Sequence, residues 1–254
     1  MWTNAMVAVM ASRGQEIKMS YHPFSLLGGA ELLDQMDAGV EETARKALEL
    51  LDSQPIPPGE YECVCDPETT GMIVHEAFGH GVEMDMFVKD RALARSFIGQ
   101  YVASPLVTMH DGSAVEESAT AFFDDEGTLA GDTVVIDRGV LKTGMCDALS
   151  AARLGTAPTG NGRRESYERK AYTRMTNTYF QGGESTREEM IASVKDGFLL
   201  ETPSSGMEDP KNWGIQCMVT TAREIKDGRL TGKLYSPIVL TGYVPDLLKS
   251  VTMM

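Results

Sequence analysis

Residues 71–87 read GMIVHEAFGHGVEMDMF: an apolar lead-in, a His-Glu pair, and a second histidine five positions after the first. Two imidazoles hold one metal ion only if they face a common point, with a carboxylate beside the bound water to take its proton. In a His-Glu-x-x-His helix the rings are four residues apart and lie within about 40° of one another around the axis. Five steps of about 100° leave His75 and His80 about 140° apart, so a straight helix cannot bring them to one ion. Gly79 and Gly81 bracket His80, and glycine leaves the helical basin at low steric cost. A helix end at Gly79, or a π-bulge of the kind that recurs at functional sites, would bring His80 back toward His75 with Glu76 adjacent. A blander reading stays open, in which His75 is a hydrogen-bonded core histidine, Glu76 a helix-surface carboxylate, and His80 a last-turn residue favoured by the helix dipole. Sequence does not choose a third ligand among Cys63, Cys65, Cys146, Cys217, His110 and the many carboxylates. Glu83 and Asp85 are either groups that orient the imidazoles or solvated carboxylates.

At 254 residues the chain can bury one sizeable core or two modest ones. With 42% hydrophobic and 24% charged residues it reads as a soluble globular protein. A formal charge of −14 argues against direct binding of nucleic acid, because that binding draws most of its affinity from neutralising phosphates. No apolar run approaches the roughly 18–20 residues that cross a bilayer, and the N-terminal MWTNAMVAVMASRGQ has no basic region ahead of its short apolar stretch. The expected place is the cytoplasm, with no membrane partner. Four cysteines are too few for a disulfide framework in a chain this long, and Cys63 and Cys65 are expected as buried or half-buried strand thiols.

Short apolar runs at 5–11 and 16–21 flank SRGQ and predict a β-hairpin. Leu33, Met36, Val40, Ala44, Ala47, Leu48 and Leu51 recur at three- and four-residue steps and predict a helix over 31–52, weakened by Gly39. SQPIPPGE cannot continue it and is the expected boundary between residues 1–55 and 56–254. Beyond it, YECVC reads as a strand entering the histidine motif. ATAFFDDEGT, TVVIDRGVLKT and CMVTTAREIKDGRLTGKLY each hold a turn between β-type runs. Helical patterns fall at about 144–154 and 186–196, the latter with Ser185 or Thr186 as its cap. The fold class is therefore α+β with mostly antiparallel strands.

Arg163, Arg164, Arg169, Lys170 and Arg174 cluster in PTGNGRRESYERKAYTRM, which lacks the Gly-Lys-Ser/Thr ending of a phosphate loop. Arg163 or Arg164 would suit a substrate's terminal carboxylate or a backbone carbonyl. Ion pairs with the 37 acidic residues of the same chain, or with a partner subunit, are the structural alternative. HDGS, 110–113, reads as a turn, since no nucleophile elbow accompanies it. The sixteen methionines argue packing before function.

HEAFGHGVEMDMF, DDEGT, APTGNGRRESY and RMTNTYF, in that order and at these separations, resemble the TldD side of the TldD/PmbA family over roughly residues 60–254. Its members are regarded as metallopeptidases and were once named modulators of DNA gyrase. The resemblance implies a β-rich C-terminal domain carrying the His-Glu-x-x-x-His helix, preceded in residues 1–55 by the last part of an α/β N-terminal domain. It implies zinc on His75 and His80, with Glu76 as general base, in a peptidase that cleaves unfolded or flexible peptides inside a closed dimer. The partner would be the same chain or a PmbA-like subunit; the metal-free PmbA side lacks the histidine string present here. Two departures stand beside these expectations. Family members are nearly twice this length, and their third zinc ligand is a cysteine in a Gly-rich segment near the C-terminus, whereas this chain ends at LLKSVTMM. Cys217, well upstream, is not given that role. The rival expectation is a non-catalytic scaffold or peptide-binding subunit that adds a strand to a sheet edge.

Overall fold

Period-two alternation builds the first element. In the computed structural model, which describes residues 2–115 and 117–254, Trp2–Arg13 and Glu16–Leu27 pair antiparallel from Trp2↔Leu27 to Arg13↔Glu16. Gly14 takes φ +64° in the two-residue turn, a conformation that suits glycine. Odd-numbered residues from Thr3 to Ala11 turn inward while even-numbered ones face solvent, and the ladder carries the hairpin well beyond the two apolar runs. The helix over 31–52 divides: Ala30–Gln35 is a 3-10 segment and the α-helix is Met36–Leu50. Its Ala47 and Leu51, just past its end, pack on Ala11 and Val9. Gly39 does not weaken this arrangement, because a Cβ there would lie 3.1 Å from ring atoms of both His22 and Phe24. Glycine lets the helix approach the strand.

The chain divides into two compact units: residues through Thr69 with Thr186–Ser204 and Met218–Val239, and Thr70–Ser185 with Ser205–Cys217 and Leu240–Met254. The proline-rich stretch expected as a boundary lies inside the first. Its prolines do stop the helix, but the backbone of Gln54 then pairs with Leu234 and Ser236. One sheet orders its strands Arg229–Tyr235, Gly214–Lys226, Asp196–Asp209 and Glu62–Cys65, with Ile238–Tyr243 also pairing to Gly214–Lys226. Glu62–Cys65 runs parallel to Gly197–Leu200; the hairpin of Trp2–Arg13 with Glu16–Leu27, the pair of Gly214–Lys226 with Arg229–Tyr235, and the ladders of the second unit are antiparallel. Asp227 and Gly228 both take positive φ in the tight turn that KDGR predicts. Val64 joins Ile191, Val194, Leu199 and Ile225 in a core cluster. Cys63 and Cys65 consequently face away from it; Cys63 is exposed, contrary to expectation, and Cys65 half-buried.

In the second unit Val140–Leu141, Thr133–Asp137, Met109–Asp111 and Thr178–Phe180 form an antiparallel sheet in that order. Phe78, Phe87, Met109, Ile136, Leu141, Met145, Trp213 and Leu248 are its largest buried side chains. HDGS is not a free turn, since His110 and Asp111 belong to the strand Met109–Asp111. Asp111 is wholly buried and accepts four hydrogen bonds: from Asn161 Nδ2, Thr176 N, Thr176 Oγ1 and Thr178 Oγ1. A buried charge this well supplied is tolerable, and it ties three distant segments together. Asp124 of DDEGT does the same locally, accepting from the amides of Glu126, Thr128 and Gly162. The helix expected over 144–154 is shorter, Ala148–Leu154, capped by Asp147. Gly144 sits so close to Val82 O that a Cβ would approach it to 2.1 Å, and Met145 forms a bridge with Glu83 instead of a helical turn.

Thr186, not Ser185, caps the helix Arg187–Ser193 in a reciprocal box with Glu189. Thr186→Ala is expected to lower stability by about 1 kcal/mol in urea unfolding, with Ser185→Ala within about 0.5 kcal/mol of wild type. The reverse order would remove the cap assignment.

Candidate metal centre

The helix Pro67–Val74 opens with proline, which lacks the N–H that a first turn leaves unbonded. Asp66 Oδ1 accepts from the Thr69 amide at 2.7 Å. The helix then widens. His75–Gly79 is a π-turn, closed by the His80 amide donating to His75 O, and a 3-10 turn, His80–Val82, follows. One residue more per turn absorbs the angular excess of a five-residue spacing. The two imidazoles meet edge to face, their centroids 4.7 Å apart.

Glycine makes this possible differently from the expected way. Gly79 keeps helical angles, φ −59° and ψ −55°. Its role is space, as is that of Gly81: a Cβ would lie 2.2 Å from Met175 Sδ at the first and 2.3 Å from Glu208 Oε1 at the second. Gly206 fits behind the same turn, where a Cβ would come within 2.3 Å of Glu76 Cγ.

One ligand atom from each of His75, Glu76 and His80 lies within 4.8 Å of the others, and among the described residues these three are the group that could hold an ion. The His75 and His80 side chains are 46% and 38% exposed while that of Glu76 is 13% exposed, so the imidazoles are accessible and the carboxylate is held. Burial, then the neighbouring His80, lowers the His75 pKa, which favours the neutral ring with a lone pair to donate. His80 is raised, chiefly by its bond to Glu83. Two imidazoles and a carboxylate are a donor set suited to zinc or a similar divalent ion. No cysteine joins them among the described residues; Cys217 is buried and its thiol is pushed up to about 12 by burial and then by the charge of Glu76.

Glu83 and Asp85 are buried, not solvated. Glu83 Oε2 lies 3.5 Å from His80 Nδ1 and 3.3 Å from Arg174 Nη1, while Asp85 bonds Lys89 Nζ at 2.6 Å. Arg163 spends its guanidinium on the carbonyl of Met175 at 2.7 Å, and Arg164 donates its backbone N–H to Asp125 while remaining exposed. Sequence reasoning missed Glu208. Its Oε2 accepts from the Gly81 amide at 2.9 Å and its Oε1 is buried without a partner among the described residues. Burial raises this carboxyl to about 9, opposed by the Gly81 bond and reinforced by the charges of Glu76 and Glu83. It lies some 130 positions from the histidines in a strand with no motif, so only the folded chain reveals it.

Fold and centre define an α+β protein in which two imidazoles and a carboxylate of a His-Glu-x-x-x-His string form a cluster that could hold a metal ion. The chain belongs to the TldD/PmbA family, since the family description "PmbA/TldA metallopeptidase C-terminal domain" matches residues 58–254. It is 31% identical over 246 residues to a metalloprotease of Methanothermobacter thermautotrophicus, covering 95% of this chain and 53% of that protein. It is 34% identical to the metalloprotease TldD homolog of Haemophilus influenzae, covering 84% of this chain and 44% of that one. The chain thus spans about half the length of the curated relatives it matches. Among solved structures, TldE from Thermococcus kodakarensis superposes with a TM-score of 0.83 at 19% identity, over 99% of this chain and 57% of that one. A Thermotoga maritima protein described as a modulator of DNA gyrase gives 0.84 at 20%, over 99% and 56%. At these identities the two structures establish the fold.

The Glu208 carboxyl has an ordinary value of 4.5. Below it folded and unfolded states both hold the proton; between 4.5 and about 9 only the folded state does. Folding then takes up a proton, and this group's contribution to stability falls as pH rises through that window. In urea unfolding of metal-free protein, Glu208→Gln should gain on wild type by up to about 1.4 kcal/mol per pH unit. A difference that stays flat with pH would contradict the assignment.

Proposed function

We propose that this chain carries the centre of a zinc-dependent peptidase of the TldD type, acting on unfolded or flexible peptides. The observation that supports this most directly is the convergence of His75, Glu76 and His80 on a π-turn. The names of its relatives add to it, one being the zinc metalloprotease TldD homolog of Saccharolobus solfataricus, at 28% identity. His75 and His80 would hold the ion. When bound, it would polarise a scissile carbonyl and acidify water. Glu76, pressed between the imidazoles and Gly206, accepts the proton of the attacking water and returns it to the departing amine. The exposed guanidinium of Arg164 is the one of the arginine pair left for a substrate carboxylate.

In this reading the hairpin and helix within residues 1–55 are the last part of an α/β domain, and 56–254 is the peptidase domain. The working protein is a cytoplasmic dimer of this chain or of this chain with a PmbA/TldE-type subunit. Among the described residues no helix is long and apolar enough to cross a membrane. One observation favours the rival reading of a non-catalytic peptide-binding subunit: the donor cluster contains no cysteine among the described residues.

Elemental analysis and a peptide-cleavage assay, with and without chelator, separate the two. Glu76→Gln should lower kcat/KM by about 10²–10⁴-fold and leave metal content near that of wild type; retained turnover removes Glu76 from the chemistry. His75→Ala should lose the metal, and stoichiometric zinc in that variant would refute its role as a ligand.

A further inference from the structure

We propose that Glu83 is a positioning residue for His80, holding the ring by Nδ1 so that Nε2 is presented to a metal, with Arg174 bonded to the same oxygen of Glu83. The inference rests on the metal-centre reading above and adds to it two residues outside the donor set.

The geometry begins with the spacing. His80–Val82 is a 3-10 turn, closed by the Glu83 amide donating to His80 O at 3.3 Å. At three residues per turn, positions three apart eclipse one another, which places the Glu83 carboxylate against the His80 ring. The backbone of Glu83 is fixed as well, by its bridge to Met145 and the close approach of Gly144 to Val82. The Glu83 side chain is 5% exposed, its Oε2 facing His80 Nδ1 and Arg174 Nη1 while its Oε1 has no partner among the described residues. A buried carboxylate with one oxygen unsatisfied costs stability. Asp85, two residues on and also buried, likewise leaves one oxygen, Oδ1, without a partner among the described residues; what sets Glu83 apart is that its paired oxygen faces a histidine, where that of Asp85 faces Lys89.

A carboxylate on one imidazole nitrogen decides where the proton sits. With Nδ1–H donated to Glu83, Nε2 keeps its lone pair and the ring cannot turn freely, which is what a ligand histidine requires. Arg174 donates from Nη1 both to Glu83 and to Thr173 O. It thereby anchors the carboxylate to the RMTNT segment and accounts for one member of the arginine-rich stretch.

Two measurements test this on the whole chain. The ¹⁵N NMR spectrum of the metal-free protein should show His80 as the Nδ1–H tautomer. Glu83→Leu should abolish that preference, and Glu83→Gln, whose amide oxygen still accepts, should restore most of it. Zinc affinity, read by competition with a chromophoric chelator, should fall about 10–100-fold in Glu83→Leu, less in Glu83→Gln, and not in Asp85→Asn. A wild-type His80 in the Nε2–H form overturns the proposal without any variant having to fold, as does a folded Glu83→Leu protein with the wild-type tautomer and affinity. Wild-type protein that binds no zinc overturns the metal-centre reading instead, and the tautomer still decides the place of Glu83.

Discussion

One hydrogen bond, from the His80 amide to the His75 carbonyl, sets everything around the centre. An α-helical bond would have tied that amide to Glu76 and sent the second ring to the far side of the helix. Closing the loop one residue wider needs room on two sides, and Gly79 and Gly81 give it to Met175 and Glu208. The widened turn is therefore a packing solution. It persists because neighbouring segments are shaped to fit it.

Those neighbours explain why the centre is electrostatically uneven. Glu76 and Glu83 lie close enough to Glu208 for their charges to raise its proton affinity, and each of the three is treated differently. Glu76 is mostly buried beside the more exposed His75, Glu83 is answered by Arg174 and His80, and Glu208 receives a single backbone N–H. Three carboxylates in a small volume are compatible only because their partners differ. The two histidines diverge likewise, one held toward the neutral form by burial and the other supported by a carboxylate.

Much of this was legible before folding. The 75/80 spacing with its flanking glycines announces a broken or widened helix, and tight turns such as Asp227-Gly228 stand where alternating runs meet Gly. What stayed hidden depends on tertiary approach. The value of Gly39 comes from two rings of the neighbouring strand, and the backbone of Glu83 is bridged to Met145, in a stretch that sequence patterning assigns to a helix. Glu208 and Gly206 occupy a run without periodic signal. Composition records how many carboxylates a chain has; it does not say which will be deprived of water.

Asp111 carries a wider implication. Its four donors come from residues 161, 176 and 178, so the wall beside the histidine turn is assembled from pieces of chain far apart in sequence. The seventeen letters that first suggest a metal ion are thus not a portable module. Transplanted into another scaffold, they would arrive without the masonry that keeps the turn wide, and the shortest inheritable unit of this chemistry is the surrounding fold.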